Sequence, residues 1–330
     1  MKKIVSLILA FITVFALALL PMTACAKKKV ITIYATSEDY RIENAQKMLN
    51  EKFPEYTIQI AYKSTGDLAA KLTAEGKNTD CDIIMELENA YMEKIADSLA
   101  ELKDTDFSIY REDLVPASHK YVPMLTSSCS VIVNTELLAK KNLAVPTSYE
   151  DLLKPEYKGL ITMPSPKSSS TAYVFLLNLV NAWGEEKAFD FFDGIAANIS
   201  GAGFTSSGSG PVQNLKMGEA AIGLGMTHQA VVEINNGAPL KIIYFEQGAP
   251  YDVYSSAVID GKQNDADIMK VFNYLQSDVI PKDKELFVPE TIYKDRTFSK
   301  EGYPEDIPYG DMTGLSDIKT KERLLNLWKY

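Results

Sequence analysis

The chain has little of what most often carries catalysis, metals or nucleic acid. Among 330 residues there are three cysteines and two histidines, His119 and His228. Three cysteines are too few for a disulfide scaffold or a four-cysteine zinc site, and no Cys-x-x-Cys pair occurs. His-Glu-x-x-His is missing as well. Basic excess is absent: 34 Lys and Arg face 44 Asp and Glu, a formal charge of -10. A net-acidic chain is a poor partner for a polyanion, so no nucleic acid is expected as partner. No low-complexity linker or internal repeat breaks the chain after its first residues. What remains, 46% hydrophobic and 24% charged with 18 Gly and 15 Pro, is globular composition and rules out collagen, a disordered tail or a polytopic membrane protein.

The N-terminus is different. Lys2 and Lys3 precede an apolar run from Ile4 to Leu20, followed by Pro21-Met22-Thr23-Ala24-Cys25. A basic start, an apolar centre and small residues before a cut site define a secretory signal, here residues 1–24. Met22-Thr23-Ala24-Cys25 resembles a bacterial lipobox, which implies lipidation at Cys25. One acyl chain holds a protein at a membrane only marginally, and the diacylglyceryl group implied by the lipobox supplies two. Residues 25–29, with Lys27 to Lys29, then read as a lipid-anchored tether beside anionic headgroups. Cys81 and Cys129 sit in apolar, strand-like contexts and are expected to be two separate buried thiols.

From Val30 onward strands and helices alternate. Val30–Ala35, Tyr56–Tyr62 and Asp82–Met85 read as strands. Ile42, Ala45, Leu49 and Phe53 share one helix face, with Thr36 and Ser37 placed to cap it. Val122–Asn134 is one long extended stretch. A second alternating unit follows, with strands expected at 160–163, 199–204 and 220–225. Its helices start after Ser168-Ser169-Ser170-Thr171 and after Ser206 to Pro211, the proline suiting a first helical position. Alternation of this kind predicts an α/β fold with parallel strands and crossovers. Two such units with no linker suggest domains joined by extended hinge strands.

No nucleophile–base set is visible. Gly203 to Gly208 has the glycine spacing of a phosphate loop, but Ser209 stands where lysine is required. Ser316-Asp317-Ile318-Lys319 matches Ser-x-x-Lys without its companion motifs, and capping of the last helix explains it. Helix starts are the stronger feature. A helix N-terminus presents unpaired N–H groups and a partial positive charge, which together hold a phosphate, phosphonate or carboxylate. Ser168, Ser169, Ser170 and Thr171 form one hydroxyl-rich start, Ser207 and Gly208 belong to another, and Thr36 and Ser37 to a third. Each follows a strand, where open α/β sheets bind ligands. Glu86 after the third strand, Thr227 and His228 after the strand at 220–225, and Tyr251 near the second crossing are further ligand-binding candidates. No catalytic residue, metal ligand or cofactor is nominated.

Several stretches carry a family resemblance: Ser64-Thr65-Gly66-Asp67-Leu68-Ala69-Ala70-Lys71-Leu72, Cys81-Asp82-Ile83-Ile84, Pro146 to Leu153 with Pro155-Glu156-Tyr157-Lys158-Gly159, and Gly218-Glu219-Ala220-Ala221-Ile222-Gly223. The chain resembles the solute-binding lipoproteins of bacterial ABC importers, in the subgroup that takes ferric iron, 2-aminoethylphosphonate, sugar phosphates or thiamine. The resemblance implies the periplasmic-binding-protein type II fold, two α/β lobes joined by two hinge strands. Lobe 1 would comprise residues 30–125 and 255–330, and lobe 2 residues 126–254, with Ser127 and Ser128 on the hinge. It further implies a small-molecule anionic ligand, a permease with its ATPase as partner, a monomer, and a location on the outer face of the cytoplasmic membrane. No enzyme is expected.

Departures from the pattern bear on the ligand. Ferric binders of this group carry adjacent tyrosines where this chain has Met226-Thr227-His228-Gln229, and an Fe³⁺ site wants several hard anionic oxygens. Serine-rich helix starts suit a tetrahedral oxyanion, with Glu86 available to the ammonium of 2-aminoethylphosphonate. Ferric iron, thiamine, a ligand-sensing surface lipoprotein and a lipid-anchored hydrolase stay as alternatives.

Overall fold

The computed structural model describes residues 28–330 apart from Ala202, so the signal, the lipobox and Cys25 lie outside the described residues. Eight strands form β1 (Val30–Ala35), β2 (Thr57–Tyr62), β3 (Ile83–Glu88), β4 (Val122–Asn134), β5 (Ile161–Thr162), β6 (Ile222–Met226), β7 (Leu240–Ile243) and β8 (Tyr251–Val258). The helices are α1 (Asp39–Lys52), α2 (Thr65–Glu75), α3 (Asn89–Lys94), α4 (Thr135–Lys140), α5 (Ser170–Trp183), α6 (Glu185–Ala196), α7 (Gly210–Met217), α8 (Thr227–Asn235), α9 (Ala266–Tyr274), α10 (Ile280–Leu286) and α11 (Ile318–Leu327). Among the described residues none of them is long and apolar enough to cross a membrane.

The strands run in the order β2-β1-β3-β8-β4-β6-β5, with β7 also on β4. β1 is parallel to β2 and β3, and β5 is parallel to β6. β4 is the pivot. Its first part, from Val122 to Ser128, pairs antiparallel with β8. Its second part, from Cys129 to Asn134, pairs with β6 and β7 instead. All of its 13 residues are buried, as a strand shared between two packed layers must be. The return crossing precedes β8, where the Cys129 N–H donates to the Pro250 carbonyl.

A separate apolar core lies on either side of this pivot. One gathers Ile31, Ile33, Leu49, Ile83, Met124, Val258 and Phe272. The other gathers Val131, Ile161, Phe175, Leu179, Phe192, Ile222 and Trp328. Each such side chain contributes about 1.5–3 kcal/mol by leaving water, so each half holds itself together. The last helix packs Leu324 and Trp328 into the second core while Lys321 reaches Glu88 at the end of β3. Cys81 and Cys129 are free and buried, as expected.

Some local expectations shift. The extended stretch expected at 199–204 is no strand and leaves only isolated bridges, Ile161 to Ile199 and Pro164 to Thr205. Single polar turns such as Ser200-Gly201 interrupt its pairing before a ladder can form. α1 is capped by Glu38 rather than Thr36 or Ser37, with no side-chain capping bond. Their hydroxyls go instead to Glu86, and for the last helix the cap is Asp317, which accepts from the Lys319 N–H at 3.0 Å.

Candidate ligand cleft

One narrow cleft, with a cavity volume of about 40 Å³, opens between the two halves. From the first come Thr36, Glu38, Tyr62, Ser64, Thr65 and Glu86; from the second Ser168 to Thr171, Ser207 to Ser209 and Met226. Tyr254 of β8 closes its floor, with its phenol 2.6 Å from the Ser170 hydroxyl. Three helices of eight or more residues begin here. Ser64 precedes α2, Ser169 precedes α5 and Ser209 precedes α7. β2 and β5 lead through hydroxyl-bearing turns into α2 and α5, and the isolated bridge of Pro164 to Thr205 brings the start of α7 beside them. Ser169 and Ser209 make no capping bond with their side chains, so helix-start N–H groups are left for another acceptor. Neither lysine nor arginine lines the cleft.

The two halves touch across it. Tyr62 and Ser207 hydroxyls are 3.1 Å apart, the Gly66 N–H donates to the Ser168 carbonyl at 3.3 Å, and Thr65 and Ser170 hydroxyls are 3.5 Å apart. Two glycines permit this approach. A Cβ on Gly66 would come within 2.7 Å of the Lys167 carbonyl oxygen, and one on Gly208 would run into the Thr171 hydroxyl.

Under one end of the cleft lies a buried charge network that sequence reading missed. Arg41 of α1 is 2% exposed. It grips Asp283 with two bonds of 2.9 and 2.8 Å, donates to Glu38 at 3.1 Å and to Glu86 at 3.0 Å. Ser37 donates to the other Glu86 oxygen at 2.7 Å, and Thr36 to the Glu86 carbonyl at 2.6 Å. Glu86 sits at φ 66°, left-handed backbone that a non-glycine adopts at a cost, beside an irregularity in the pairing of β3. Burial pushes its carboxyl up, against the opposing pull of Arg41. For Glu38 burial also acts upward, but the charges of His228 and Arg41 outweigh it and hold its carboxyl at about 2.

His228 is 1% exposed. Its Nδ1 is 3.1 Å from the Ser127 hydroxyl and its Nε2 is 3.3 Å from Glu38. Ser–His–carboxylate order resembles a hydrolase relay. Ser127, however, is 3% exposed and does not line the cleft, so the row ties hinge strand to cleft floor rather than facing a substrate.

Of the residues expected from sequence, Thr36, Glu86, Ser168, Ser169, Ser170, Thr171, Ser207 and Gly208 meet in the cleft. Ser37 lies behind Glu86, and Thr227 and His228 are buried just beneath the lining. Ser128 is occupied elsewhere: its N–H and hydroxyl donate to Glu290 at 2.9 and 2.7 Å. Tyr251 faces a different hollow with Arg111, Thr126 and Tyr309. Strand parity explains this, since Tyr251 and Tyr254 are three residues apart on β8 and point to opposite faces. Tyr62, Ser64 and Glu38 are lining residues that the sequence did not single out. A strand followed by a hydroxyl before a helix was a usable signal for Ser64.

An α/β molecule of two halves with a polar cleft between them has the architecture of a solute-binding protein. Residues 82–285 match the family of bacterial extracellular solute-binding proteins, and the chain belongs to it. It is similar to a Haemophilus influenzae protein described only as uncharacterized, at 30% identity over 73% of this chain and 71% of that protein. It is also similar to the putative 2-aminoethylphosphonate-binding periplasmic protein of Salmonella typhi, at 23% identity over 93% of this chain and 94% of the other. In structure it resembles the periplasmic binding protein AfuA of Actinobacillus pleuropneumoniae with fructose-6-phosphate bound, at a TM-score of 0.80 and 23% identity, covering 92% of this chain and 98% of that one. The fold is therefore periplasmic-binding-protein type II, and it is a fold of binding proteins. Members of this family hold a small solute and deliver it to an ABC importer.

Proposed function

We propose that the chain captures a small polar anion, an organophosphonate or phosphate ester such as 2-aminoethylphosphonate, and hands it to a membrane permease. One observation carries the reading. Three helix N-termini and a ring of hydroxyls converge on a cleft that no lysine or arginine lines. Such donors suit an oxyanion with several acceptor oxygens, because charge-assisted bonds are the strong ones and each helix end adds a partial positive charge. In a chain of charge -10 the attraction is local, supplied by these ends rather than by the overall field. The Salmonella relative and the fructose-6-phosphate complex support a phosphorus-bearing ligand. An iron reading has less support: where ferric binders of this group carry adjacent tyrosines, this chain has Met226-Thr227-His228-Gln229.

In this reading Cys25 carries the lipid, residues 25–29 are the tether, and the chain works as a monomer on the outer face of the cytoplasmic membrane. The lobes exchange near Ser128 in β4 and just before β8, and close about those crossings. Isothermal titration with 2-aminoethylphosphonate, a sugar phosphate, inorganic phosphate and Fe³⁺ tests the reading. Saturable binding of a phosphorus anion is expected, and binding of iron alone contradicts it.

A further inference from the structure

The charge balance under the cleft is uneven. Glu38, Glu86 and Asp283 share one guanidinium, that of Arg41. The next buried cation, Lys284, donates to the Glu290 carbonyl at 2.7 Å and feels the charges of Asp283 first and Glu290 second. Three carboxylates gather here around Arg41, with His228 beside Glu38 and Lys284 beyond Asp283, so this end of the cleft is rich in carboxylate. The opposite wall, where α5 and α7 begin, is positive only through its helix ends. The cleft is thus polarised, and a simple anion would fill one end while facing carboxylate at the other.

The three carboxylates are not equally available. Both oxygens of Asp283 are gripped by Arg41. Both oxygens of Glu86 are taken, by Arg41 and by Ser37. Glu38 is different: its two side-chain partners, Arg41 and His228, both meet Oε2, and among the described residues no side-chain donor is found on Oε1. Glu38 also lines the cleft. Behind it, the buried Nε2 of His228 completes no hydrogen bond, so the contact that holds Glu38 from the second lobe is electrostatic and leaves the carboxylate with acceptor capacity to spare.

We propose that Glu38, rather than Glu86, reads a primary ammonium on the ligand and so selects zwitterionic anions over anions with a neutral tail. Arg41 is the positioning residue: it fixes the Glu38 rotamer and keeps Glu86 occupied. The inference rests on the phosphorus-anion reading above. An ammonium at Glu38 would gain a charge-assisted bond in a site shielded from water, while a methyl group there would strand a carboxylate. Because Glu38 meets His228 directly, at 3.3 Å, the ammonium would also sit where the two lobes meet.

The test is a titration matrix on the purified protein: 2-aminoethylphosphonate and ethylphosphonate, against wild type, Glu38→Gln and Glu86→Gln. Wild type is expected to favour 2-aminoethylphosphonate by about tenfold or more. Glu38→Gln is expected to lose at least about tenfold for that ligand and to change by less than about threefold for ethylphosphonate. Equal wild-type affinities overturn the charge reading and leave anion capture standing. Wild-type binding of neither ligand overturns both. Equal losses for the two ligands in Glu38→Gln make Glu38 a structural residue, and a larger selective loss in Glu86→Gln returns the role to Glu86. Should Glu38→Gln fail to fold, Glu86→Gln decides: retained preference for 2-aminoethylphosphonate supports Glu38, and lost preference returns the role to Glu86.

Discussion

Replacing Arg41 with methionine should be among the most damaging single changes in the molecule. The side chain is 2% exposed and makes four hydrogen bonds to Asp283, Glu38 and Glu86. Methionine keeps the apolar stem but leaves three carboxylates facing one another. Removing one partner from a buried charge network costs about 3–5 kcal/mol, a large part of the roughly 5–15 kcal/mol that holds a domain folded. That corresponds to a fall in melting temperature of roughly 6–20 °C. The loss should depend on pH with a definite sign. In the wild type, Glu38 is held at about 2 by His228 and Arg41 against the pull of burial. A carboxyl held below its unfolded value adds stability that is present above about pH 4.5 and is lost as pH falls toward 2. Arg41→Met forfeits part of that contribution. Glu86, already pushed up by burial, then takes a proton more readily still. The gap between wild type and variant should therefore narrow on going from pH 7 to pH 4. Urea unfolding at several pH values measures it. A gap under about 1 kcal/mol at pH 7, or one that does not change with pH, would refute the network as drawn.

Three further outcomes follow from the same geometry. Ser169→Ala and Ser207→Ala should each weaken ligand binding about 10- to 150-fold, the worth of a hydrogen bond to a charged group, with melting temperature little changed; titration calorimetry and thermal melts check both. Gly208→Ala should weaken binding by about tenfold, because a Cβ there runs into Thr171 and comes 3.1 Å from the Ser169 hydroxyl, crowding two proposed donors. Lys321→Met should destabilise by about 3–5 kcal/mol, since Lys321 is 2% exposed between Glu88 and the Tyr173 ring 3.9 Å away, whereas Lys94→Ala, which breaks an exposed pair with Glu322, should cost about 0–1 kcal/mol; parallel urea titrations separate the two.

Much of the fold was legible because local periodicity carries it. Ile42, Ala45 and Leu49 do lie on one face of α1, and Pro211 does open α7 as its fixed φ favours. The hydroxyl-rich helix starts were readable for the same reason, since strand, turn and helix follow one another within a few residues. The failures are of two kinds. The stretch at 199–204 has a strand's composition but lacks a neighbour with which to form a ladder, and pairing is not a local property. Arg41 looked like one more polar helix residue. Its partners are 45 residues away at Glu86 and 242 away at Asp283, so only the folded chain brings them together. Tyr251 and Tyr254 both lie near the crossing, and strand parity puts only Tyr254 in the cleft.

Burial also bears on the part Glu86 can play. From sequence it was the natural partner for a ligand ammonium, being the acidic residue after the third strand. In the structure its oxygens belong to Arg41 and Ser37, and its left-handed backbone is held by that grip. The residue nearest to being available is Glu38, which a helix-capping position hid.

The account stands on one claim, that the cleft takes a phosphorus-bearing anion at its helix ends. Mass spectrometry of whatever small molecule stays bound to the natively purified protein tests it directly. The account predicts an organophosphonate or phosphate ester, released when the protein is unfolded. Iron or thiamine in its place, with no phosphorus-bearing anion, would contradict it.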